Sequence, residues 1–538
     1  MSLSYRQVGY NDQNLTGLST AEGDLENHSP ALRLSGPTKT SPLYPTTNTA
    51  EWTQNFAMEP IYFPRHSGLT ATPEYRTFPS AQSSPPDSMS NPSSWNLNEP
   101  IFTTQHLPTH PLTTMPQFFS IDPGSVQSDP SGMTRILTTR ATHLPNLHAV
   151  KHVPQPGKSQ FGIQDTTLEF LTHFGGPGED AGKGIVVDEK GNSYITGYYD
   201  TRDPNQGTDV FVAKLDPAGK NLIWFVTFGG PGRDEGHGIA RDKQGNLYVT
   251  GFIDTGDPNR GTDAFVAKLD PDGNFIYQPL LIGGPGNDSG NGITVNDAGE
   301  AYITGVLRES GSSYHTLIAR VQANGSDVVY AIEDSPSGRN SIGNGIGVDA
   351  KGNIYIAGQL AFSDPHVFKY SAGDGSEPPT FAWGYIVHNT EQWPGSANSM
   401  VVAPDGTYYW AGEIPTHHPM DFDSLIGKGG PGGISDIIYL TGSISSRGFA
   451  VAYDAGGNGY LAGSWNTTPT TTTAFIDEFS PNGLPILNHF VLQQGSLAVY
   501  SVVLHNGKPN PNAYLTGTLD TRNPDQGIDA FVAKVRFD

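Results

Sequence analysis

Short runs of apolar residues alternate with clusters of turn residues along the chain from residue 161 onward. The first clear unit contains GIVVD, SYITGYY, DVFVAKL and LIWFVTF, which begin at residues 184, 193, 209 and 222. These runs are rich in β-branched and aromatic residues, which is typical of strands rather than helices. The segments between them, such as DEKGN and DPAGK, carry the Gly, Pro and Asp of tight turns. The pattern predicts four strands in each unit.

The unit is repeated around a short motif, which reads Tyr, an aliphatic residue or Trp, Thr or Ala, and Gly. The motif begins at residues 194, 248, 302, 355, 409, 460 and 514, so neighbouring copies are 51 to 54 residues apart. One small sheet cannot bury both of its faces, and a period of about 50 residues with short strands is typical of propeller blades. We therefore predict an all-β fold for residues 161–538, a seven-bladed β-propeller of four-stranded antiparallel blades.

The two ends of this region complement each other. The chain stops on DAFVAKVRFD, residues 529–538, which corresponds to the third strand of a unit. TLEFLTHFGG, residues 167–176, precedes the first complete unit. We expect strand 167–176 to pair with strand 529–538 and close the ring, because a sheet edge would otherwise stay open.

The units around residues 409 and 460 match the pattern least, and their strand register is left open. Residues 433–444, GISDIIYLTGSI, are a candidate fourth strand, and residues 416–430 are a candidate enlarged loop. That loop contains a compact cluster of His417, His418, Asp421 and Asp423. We favour an exposed polar loop there, since a metal or catalytic site would need ligands from elsewhere in the fold.

The segment GGPGEDAGKGIVVDEKGNSYITG, residues 175–197, followed by DVFVAKLDPAG, residues 209–219, resembles the SBBP family of bacterial β-propeller repeats. The resemblance covers about residues 165–538 and none of the preceding region. It implies the propeller fold. Known members of the family are mostly large cell-surface or exported proteins without an agreed chemical activity, so the resemblance implies no reaction, cofactor or site residue.

Residues 1–160 have a different character. They are rich in Pro, Ser, Thr and Asn and show no sustained period of two or 3.6 residues. Large aromatic residues are scattered among them: Tyr44, Trp52, Phe56, Tyr62, Phe63, Trp95, Phe102, Phe118 and Phe119. One interpretation is a disordered tail or linker. We favour an extended arm that is ordered by packing on partners, with its aromatic side chains as anchors.

Charge and composition exclude several classes of partner. The chain has 30 Lys and Arg against 53 Asp and Glu, a formal charge of −23, so its field repels nucleic acid and anionic lipid. It has no Cys, which excludes disulfides, thiolate metal sites and a Cys nucleophile. The first residues lack the basic and apolar run of a secretory signal, and no long apolar run follows. We expect no membrane insertion and no export by the usual signal peptide.

In a four-stranded blade, the loop after the second strand and the loop after the fourth strand emerge on the same face. The loops after second strands are acidic here, with Asp200, Asp203, Asn205, Asp209, Asp254, Asp257, Asn259, Asp263, Asp520, Asn523, Asp525 and Asp529. The interblade loops add Glu179, Asp180, Asp234, Glu235 and Asp288. Oxygen ligands around a Gly-containing loop are what Ca²⁺ requires, so these loops are a candidate calcium site. The spacing is not that of an EF-hand, and the alternative is that Asp and Asn cap backbone N–H groups in tight turns.

No sequence motif of a known catalytic class is present. GGPG occurs at residues 175, 229 and 283, but no helix or Lys-Ser/Thr pair follows, so we interpret these segments as interblade turns rather than phosphate loops. Carboxylate pairs for glycoside cleavage remain conceivable wherever a ring brings distant Asp residues together.

The favoured hypothesis is a non-catalytic structural and interaction protein. Its propeller head would be displayed on a large assembly, such as a virion, phage tail or surface appendage, through arm 1–160. The head would serve attachment, decoration or glycan recognition, and the partners would be protein subunits, in a homo-oligomeric or filament context. We expect an extracellular location after assembly in the cytoplasm. The alternatives are an extracellular polysaccharide lyase or glycoside hydrolase with a site on the acidic rim or in the central channel, and a calcium-stabilised adhesion module.

Overall fold

A computed structural model describes residues 4–9, 138–140 and most of 166–537. Within the last range it leaves out residues 177, 201–206, 258–259, 309–312, 326–327, 335–338, 361–363, 373–377, 388–394, 416–421, 442–444, 469–470, 482–485, 493–495, 506–510 and 521–526. Residues 1–8 and 70–538 form one compact unit. Residues 9–69 form a second unit, which lies outside the described residues except for Gly9.

All regular elements of the described residues are strands, and they form seven four-stranded antiparallel sheets. Blade 1 contains β4 (Ala181–Val187), β5 (Ser193–Asp200), β6 (Thr208–Leu215) and β7 (Leu222–Phe228). Blade 2 contains β8 (Glu235–Arg241), β9 (Leu247–Asp254), β10 (Thr262–Leu269) and β11 (Phe275–Ile282). Blade 3 contains β12 (Ser289–Val295), β13 (Ala301–Arg308), β14 (Tyr314–Val321) and β15 (Val328–Asp334). Blade 4 contains β16 (Ser341–Val348), β17 (Ile354–Leu360), β18 (Asp364–Ser371) and β19 (Thr380–Ile386).

Blade 5 contains β20 (Ser396–Val402), β21 (Tyr408–Pro415), β22 (Phe422–Gly430) and β23 (Gly433–Thr441). Blade 6 contains β24 (Ser446–Tyr453), β25 (Gly459–Thr468), β26 (Thr471–Phe479) and β27 (Ile486–Leu492). Blade 7 contains β28 (Ser496–His505), β29 (Asn512–Asp520), β30 (Ile528–Phe537) and β3 (Thr166–Phe174). The predicted seven-bladed propeller is confirmed. No helix in the part of the chain that the structure describes could span a membrane.

The ring is closed by the first strand of the repeat region and the last strand of the chain, as predicted. β3 pairs antiparallel with β30, and the pairing runs from Thr166 opposite Phe537 to Phe174 opposite Ala530. Blade 7 is therefore built from both ends of the repeat region, which removes one sheet edge.

Blade 5 corrects one prediction and confirms another. Residues 433–441 do form the fourth strand, β23. The enlarged loop is wrong for residues 422–430, because these residues form β22, in which Phe422 and Leu425 are buried between blades. Asp423 lies in this strand, whereas His417, His418 and Asp421 lie outside the described residues.

The hydrophobic cores lie between neighbouring blades rather than within one. Ile195 and Phe211 of blade 1 pack with Phe170 and Val532 of blade 7, and all four side chains are almost fully buried. Neighbouring blades cover both faces of each second strand in this way. This explains why apolar and polar residues do not alternate strictly along the strand that carries the Tyr motif.

The face that carries the hairpins between first and second strands is held by a repeated clamp. Asp188 Oδ1 accepts a hydrogen bond from the backbone N–H of Asn192 at 2.9 Å, and its Oδ2 accepts one from Asn192 Nδ2 at 2.7 Å. Gly191 takes the positive φ of 85° that this turn requires. Lys214 Nζ lies 4.9 Å from the centre of the Tyr194 ring and donates to Pro271 O of the next blade at 3.1 Å. The residues that recur on this face therefore stabilise the fold.

Two short strands from the N-terminal region lie at outer blade edges. β1 (Ser4–Gly9) is next to β23 at the outer edge of blade 5. β2 (Thr138–Arg140) pairs antiparallel with β7 of blade 1, with Thr139 opposite Thr227. Both blades thereby gain a fifth strand.

Candidate functional site

The predicted acidic residues fall into two structural positions. Asp200, Asp254 and Asp520 end the second strands β5, β9 and β29. Opposite the residues before them lie the acids at the start of the third strands, Asp209, Asp263 and Asp529. Asp203, Asn205, Asn259, Asn523 and Asp525 lie outside the described residues. We call the face that carries these loops and the interblade loops the Asp face.

Three acids of the interblade loops, Asp180, Asp234 and Asp288, each bind two backbone N–H groups. Asp234 Oδ2 accepts from Gly230 N at 2.6 Å, and Oδ1 accepts from Asp254 N at 2.7 Å. Asp180 accepts in the same way from Gly176 and Asp200, and Asp288 accepts from Gly284 and Arg308. These carboxylates tie each interblade loop to the end of the second strand of the following blade. GGPG at residues 175, 229 and 283 is thus an interblade turn, as predicted.

A second carboxyl group approaches each of these acids from the preceding blade. We call the three sets Asp529–Asp180, Asp209–Asp234 and Asp263–Asp288 the carboxyl pairs. A Cβ atom added at Gly175, Gly229 or Gly283 would lie within 2.8 Å of one oxygen from each member of the adjacent pair. Glycine is required at these positions because both carboxyl groups face its Cα.

Burial shapes the charge of these pairs. It raises the pKa of Asp180 to about 7 and that of Asp209 to about 6. It also raises the pKa of Asp234, and the nearby Asp209 adds to this effect. Asp263 Oδ2 accepts from Arg260 at 2.6 Å, but burial still raises its pKa to about 6. Burial therefore favours the protonated form of these acids more than solvent would.

No metal-binding geometry is present among the described residues. No group of three or more His, Asp or Glu side chains converges there on one ion. Asp254 Oδ1 accepts from Gly256 N at 2.9 Å, which is the turn-capping alternative considered for these loops. Calcium at Asp200, Asp254, Asp520 and their neighbours stays a prediction.

The seven first strands contact one another in a closed ring at the centre of the propeller. Each of them contains one β-bulge near the Asp face. We call the bulged residues the inner ring: Lys183, His237, Asn291, Asn344, Asn398, Phe449 and Tyr500.

The asparagines of the inner ring join neighbouring blades. Asn291 Nδ2 donates to Gly343 O at 3.0 Å, and Asn344 Nδ2 donates to Ala397 O at 3.0 Å. Asn398 Nδ2 donates to a carbonyl of the next first strand in the same way, at 2.9 Å. These three asparagines therefore link the first strands of neighbouring blades by side-chain hydrogen bonds.

The other half is aromatic and cationic. The rings of Phe449 and Tyr500 meet edge to face with centroids 5.6 Å apart. Lys183 Nζ lies 3.9 Å from the centre of the Tyr500 ring and 5.6 Å from that of Tyr198. His237 packs on the ring of Phe252 at 5.3 Å.

A buried carboxylate, Glu235, contacts both Arg233 and His237. Its Oε1 lies 2.5 Å from Arg233 Nη2, and its Oε2 lies 3.2 Å from His237 Nε2. Burial alone would raise the pKa of Glu235, but His237, Arg233 and Lys183 lower it to about 2. Burial, followed by the charge of Glu235, raises the pKa of Tyr198. The site thus combines a permanent carboxylate with converging cations and a neutral phenol.

The sequence interpretation missed the inner ring, although a signal was present. Lys183, His237 and Asn291 are each flanked by two glycines in the first strand of their unit. Aligning the seven units would have shown one variable residue between two small ones, which is what a bulge next to a close backbone approach requires.

Part of the chain matches a known family of β-propeller repeats. The family model described as "Beta-propeller repeat" (SBBP) matches residues 169–198 and 223–254. Among solved structures, "Europium-containing methanol dehydrogenase" is 9% identical with a TM-score of 0.38 and covers 66% of this chain and 81% of its own. The β-propeller domain of the Trilobed protease from Pyrococcus furiosus is 8% identical with a TM-score of 0.38 and covers 66% of this chain and 92% of its own.

A luciferin-regenerating enzyme is 12% identical with a TM-score of 0.32 and covers 66% of this chain and 91% of its own. None of the curated proteins matches. The N-terminal region is left unmatched by the family model. The chain is a seven-bladed β-propeller that contains SBBP-type beta-propeller repeats.

Proposed function

We propose that the protein is a non-catalytic structural and interaction protein, whose propeller head is held in a larger assembly by strands of residues 1–160. The observation that carries this proposal is the addition of β1 and β2 to the outer edges of blades 5 and 1. An outermost strand exposes a row of unpaired N–H and C=O groups, and an added strand satisfies them with main-chain hydrogen bonds. The segment that supplies the strand can belong to the same chain or to a neighbour.

The assembly follows from exchange of these strands between copies. An element that pairs with its own blade can pair equally with the identical blade of a second chain, which joins the copies without any new interface. The partners are therefore protein subunits, in a homo-oligomeric, filament or virion context. The location is extracellular after assembly in the cytoplasm, and the head serves attachment, decoration or glycan recognition.

The chemistry of the head supports a binding role over a catalytic one. The carboxyl pairs face a glycine, and the asparagines of the inner ring bind backbone carbonyls. A polysaccharide lyase is the second candidate, favoured by the convergence of Glu235, His237, Lys183 and Tyr198. Tyr198 is a poor base in this setting, because burial and Glu235 both oppose its ionisation.

The absence of Cys from the sequence makes a disulfide test direct. Thr139→Cys and Thr227→Cys place two thiols on residues that face each other across β2 and β7. Full-length chains that each carry one of the two substitutions are mixed and oxidised. We expect disulfide-linked pairs of chains, together with a mass above that of a monomer by light scattering. Thr139→Cys mixed with Ile223→Cys is the control, since Ile223 is exposed on β7 but does not oppose β2.

Two results would contradict the proposal. Linkage only within a chain that carries both substitutions, with a monomeric mass, would show that the arm serves its own head alone. Equal linkage in the control would show that the thiols meet by collision rather than by strand pairing.

A further inference from the structure

In the inner ring, Asn291, Asn344, Asn398 and His237 each lie within hydrogen-bonding distance of a backbone carbonyl of the next blade, whereas Lys183, Phe449 and Tyr500 make no such contact with the described residues. We infer that Phe449, Tyr500 and Lys183, together with His237 and Arg233, form a binding site for a carboxylate-bearing saccharide. This inference rests on the proposed role of the head as a binding module, and it does not depend on the arm.

Lys183 supplies the first contact. Its ammonium group lies against the Tyr500 ring at 3.9 Å, yet its Nζ donates no hydrogen bond to any residue that the structure describes. A ring face stabilises the positive charge but satisfies none of the three N–H donors. Lys183 is thus a cation that is held in place by aromatic rings and keeps its donors for a ligand.

Arg233 supplies the second contact. Its side chain is 68% exposed, and only one edge of the guanidinium group pairs with Glu235. The remaining donors form the planar fork that binds a carboxylate through two hydrogen bonds. Glu235 itself is 4% exposed, so it positions the cations without presenting its own charge at the surface.

The aromatic rings define the rest of the ligand. Tyr500 and Phe449 are only partly buried, and they lie next to Lys183 in the ring of first strands. Aromatic lining with a few placed polar groups is the general composition of small-molecule sites. The apolar faces of a pyranose can stack on such rings, while its carboxylate reaches Lys183 and Arg233. A neutral sugar offers these cations hydroxyl groups but no negative charge, so it forms the weaker hydrogen bonds only.

One acid opposes this ligand. Glu179, which is exposed on the interblade loop before blade 1, lies near enough to Tyr198 to raise its pKa. Its charge repels a carboxylate at the same place. Replacement of Glu179 by Gln is therefore expected to strengthen binding.

The test is calorimetric titration of the full chain with oligogalacturonate, beside a maltooligosaccharide of equal length. We expect binding of the first and none of the second. Lys183→Gln and Arg233→Gln should each raise Kd at least about tenfold, the loss that corresponds to one charge-assisted hydrogen bond. Lys190→Gln is the matched control, because it removes the same charge from an exposed hairpin on the opposite face. Melting temperatures equal to that of the unmodified chain establish that the variants are folded. If Lys183→Gln is unstable, Arg233→Gln still tests the site, because the Arg233 side chain is exposed.

Three results would overturn the inference. They are the absence of oligogalacturonate binding by the unmodified chain, unchanged Kd in both Lys183→Gln and Arg233→Gln, and equally tight binding of dextran sulfate, which carries no carboxylate. Release of an unsaturated uronate during the titration would support the site but replace the non-catalytic function by a lyase. Failure of the saccharide test leaves the disulfide result untouched, so the two proposals are separable.

Discussion

The carboxyl pairs predict that the propeller becomes less stable as the pH rises from about 4 to about 7. The pKa of Asp209 is raised from 3.8 to about 6 in the folded chain, and that of Asp180 to about 7. Between these limits the folded state binds protons that the unfolded state has released, so the free energy of unfolding falls with increasing pH. Above both folded values it becomes independent of these groups.

Asp209→Asn isolates one pair. Asp209 and Asp234 face the same glycine, and Asn can donate from its Nδ2 to the carboxylate of Asp234 without adding charge. A shift of about two units corresponds to about 3 kcal/mol, and we take about 2 kcal/mol because Asp209 is only partly buried. The variant should gain this amount at pH 8. At pH 5 it should gain about 1 kcal/mol less, since Asp209 is then largely protonated in the folded chain.

The assay is thermal unfolding of the full chain at pH 5 and pH 8, where 1 kcal/mol moves the midpoint of a large domain by about 2–4 °C. Asp297→Asn is the control, because Asp297 is an exposed acid whose ion pair with Lys243 has little weight. A midpoint that falls at pH 8 in Asp209→Asn would refute the reasoning. So would an equal gain in the control, which would attribute the effect to the net charge of the chain.

Three further predictions concern contacts between blades and within one blade. Gly283→Ala should lower the free energy of unfolding by about 2 kcal/mol, because its Cβ would meet two carboxyl groups, whereas Gly284→Ala has open space and should be neutral in chemical denaturation. Lys268→Met should cost about 1.5–3 kcal/mol in the same assay, because the ammonium group donates to a carbonyl of the next blade at 2.9 Å; an unchanged midpoint would contradict this. Burial alone would lower the pKa of His489, but its ion pair with Asp477 raises it, so the stability from this pair is present at low pH and is lost as the pH rises above 6.5. His489→Gln should therefore destabilise the chain more at pH 5 than at pH 8, which melting curves at both values measure.

The fold could be predicted from the sequence because the same strand pattern occurs in seven units. The Tyr motif lies on the second strand of every blade, and counting strands gave the pairing of β3 with β30. The same sequence pattern led to a wrong prediction only where the surrounding sequence differed. GGPG at residue 229 is an interblade turn, whereas at residue 429 it forms the hairpin between β22 and β23. There Pro431 takes the place that Pro271 has in blade 2, and its carbonyl accepts from Lys369 of the preceding blade.

The candidate site could be predicted less well from the sequence. Whether a residue is buried between two blades depends on both blades, and the sequence of one repeat unit does not show it. Asp234, Asp263 and Asp288, which the sequence places in an acidic rim, are buried rather than displayed. Their burial arises from a glycine of one interblade loop lying between acids of two blades, which only the closed ring brings together. The carboxylates of this face therefore contribute less to its surface charge than their number in the sequence implies.

The closed ring of blades also explains which sequence differences between the repeats change the chemistry at the centre of the propeller. Every blade needs the same backbone at its bulge, and the flanking residues of the first strand are accordingly small in most units. The bulged side chain itself is free of that constraint, and it is Lys, His, Asn, Phe or Tyr in different blades. Since the ring places all seven side chains around one axis, substitutions at this position change the chemistry of the centre, and where the residue is Asn they also remove a hydrogen bond between blades. Binding specificity can therefore arise in a repeat protein at the position where its repeats agree least.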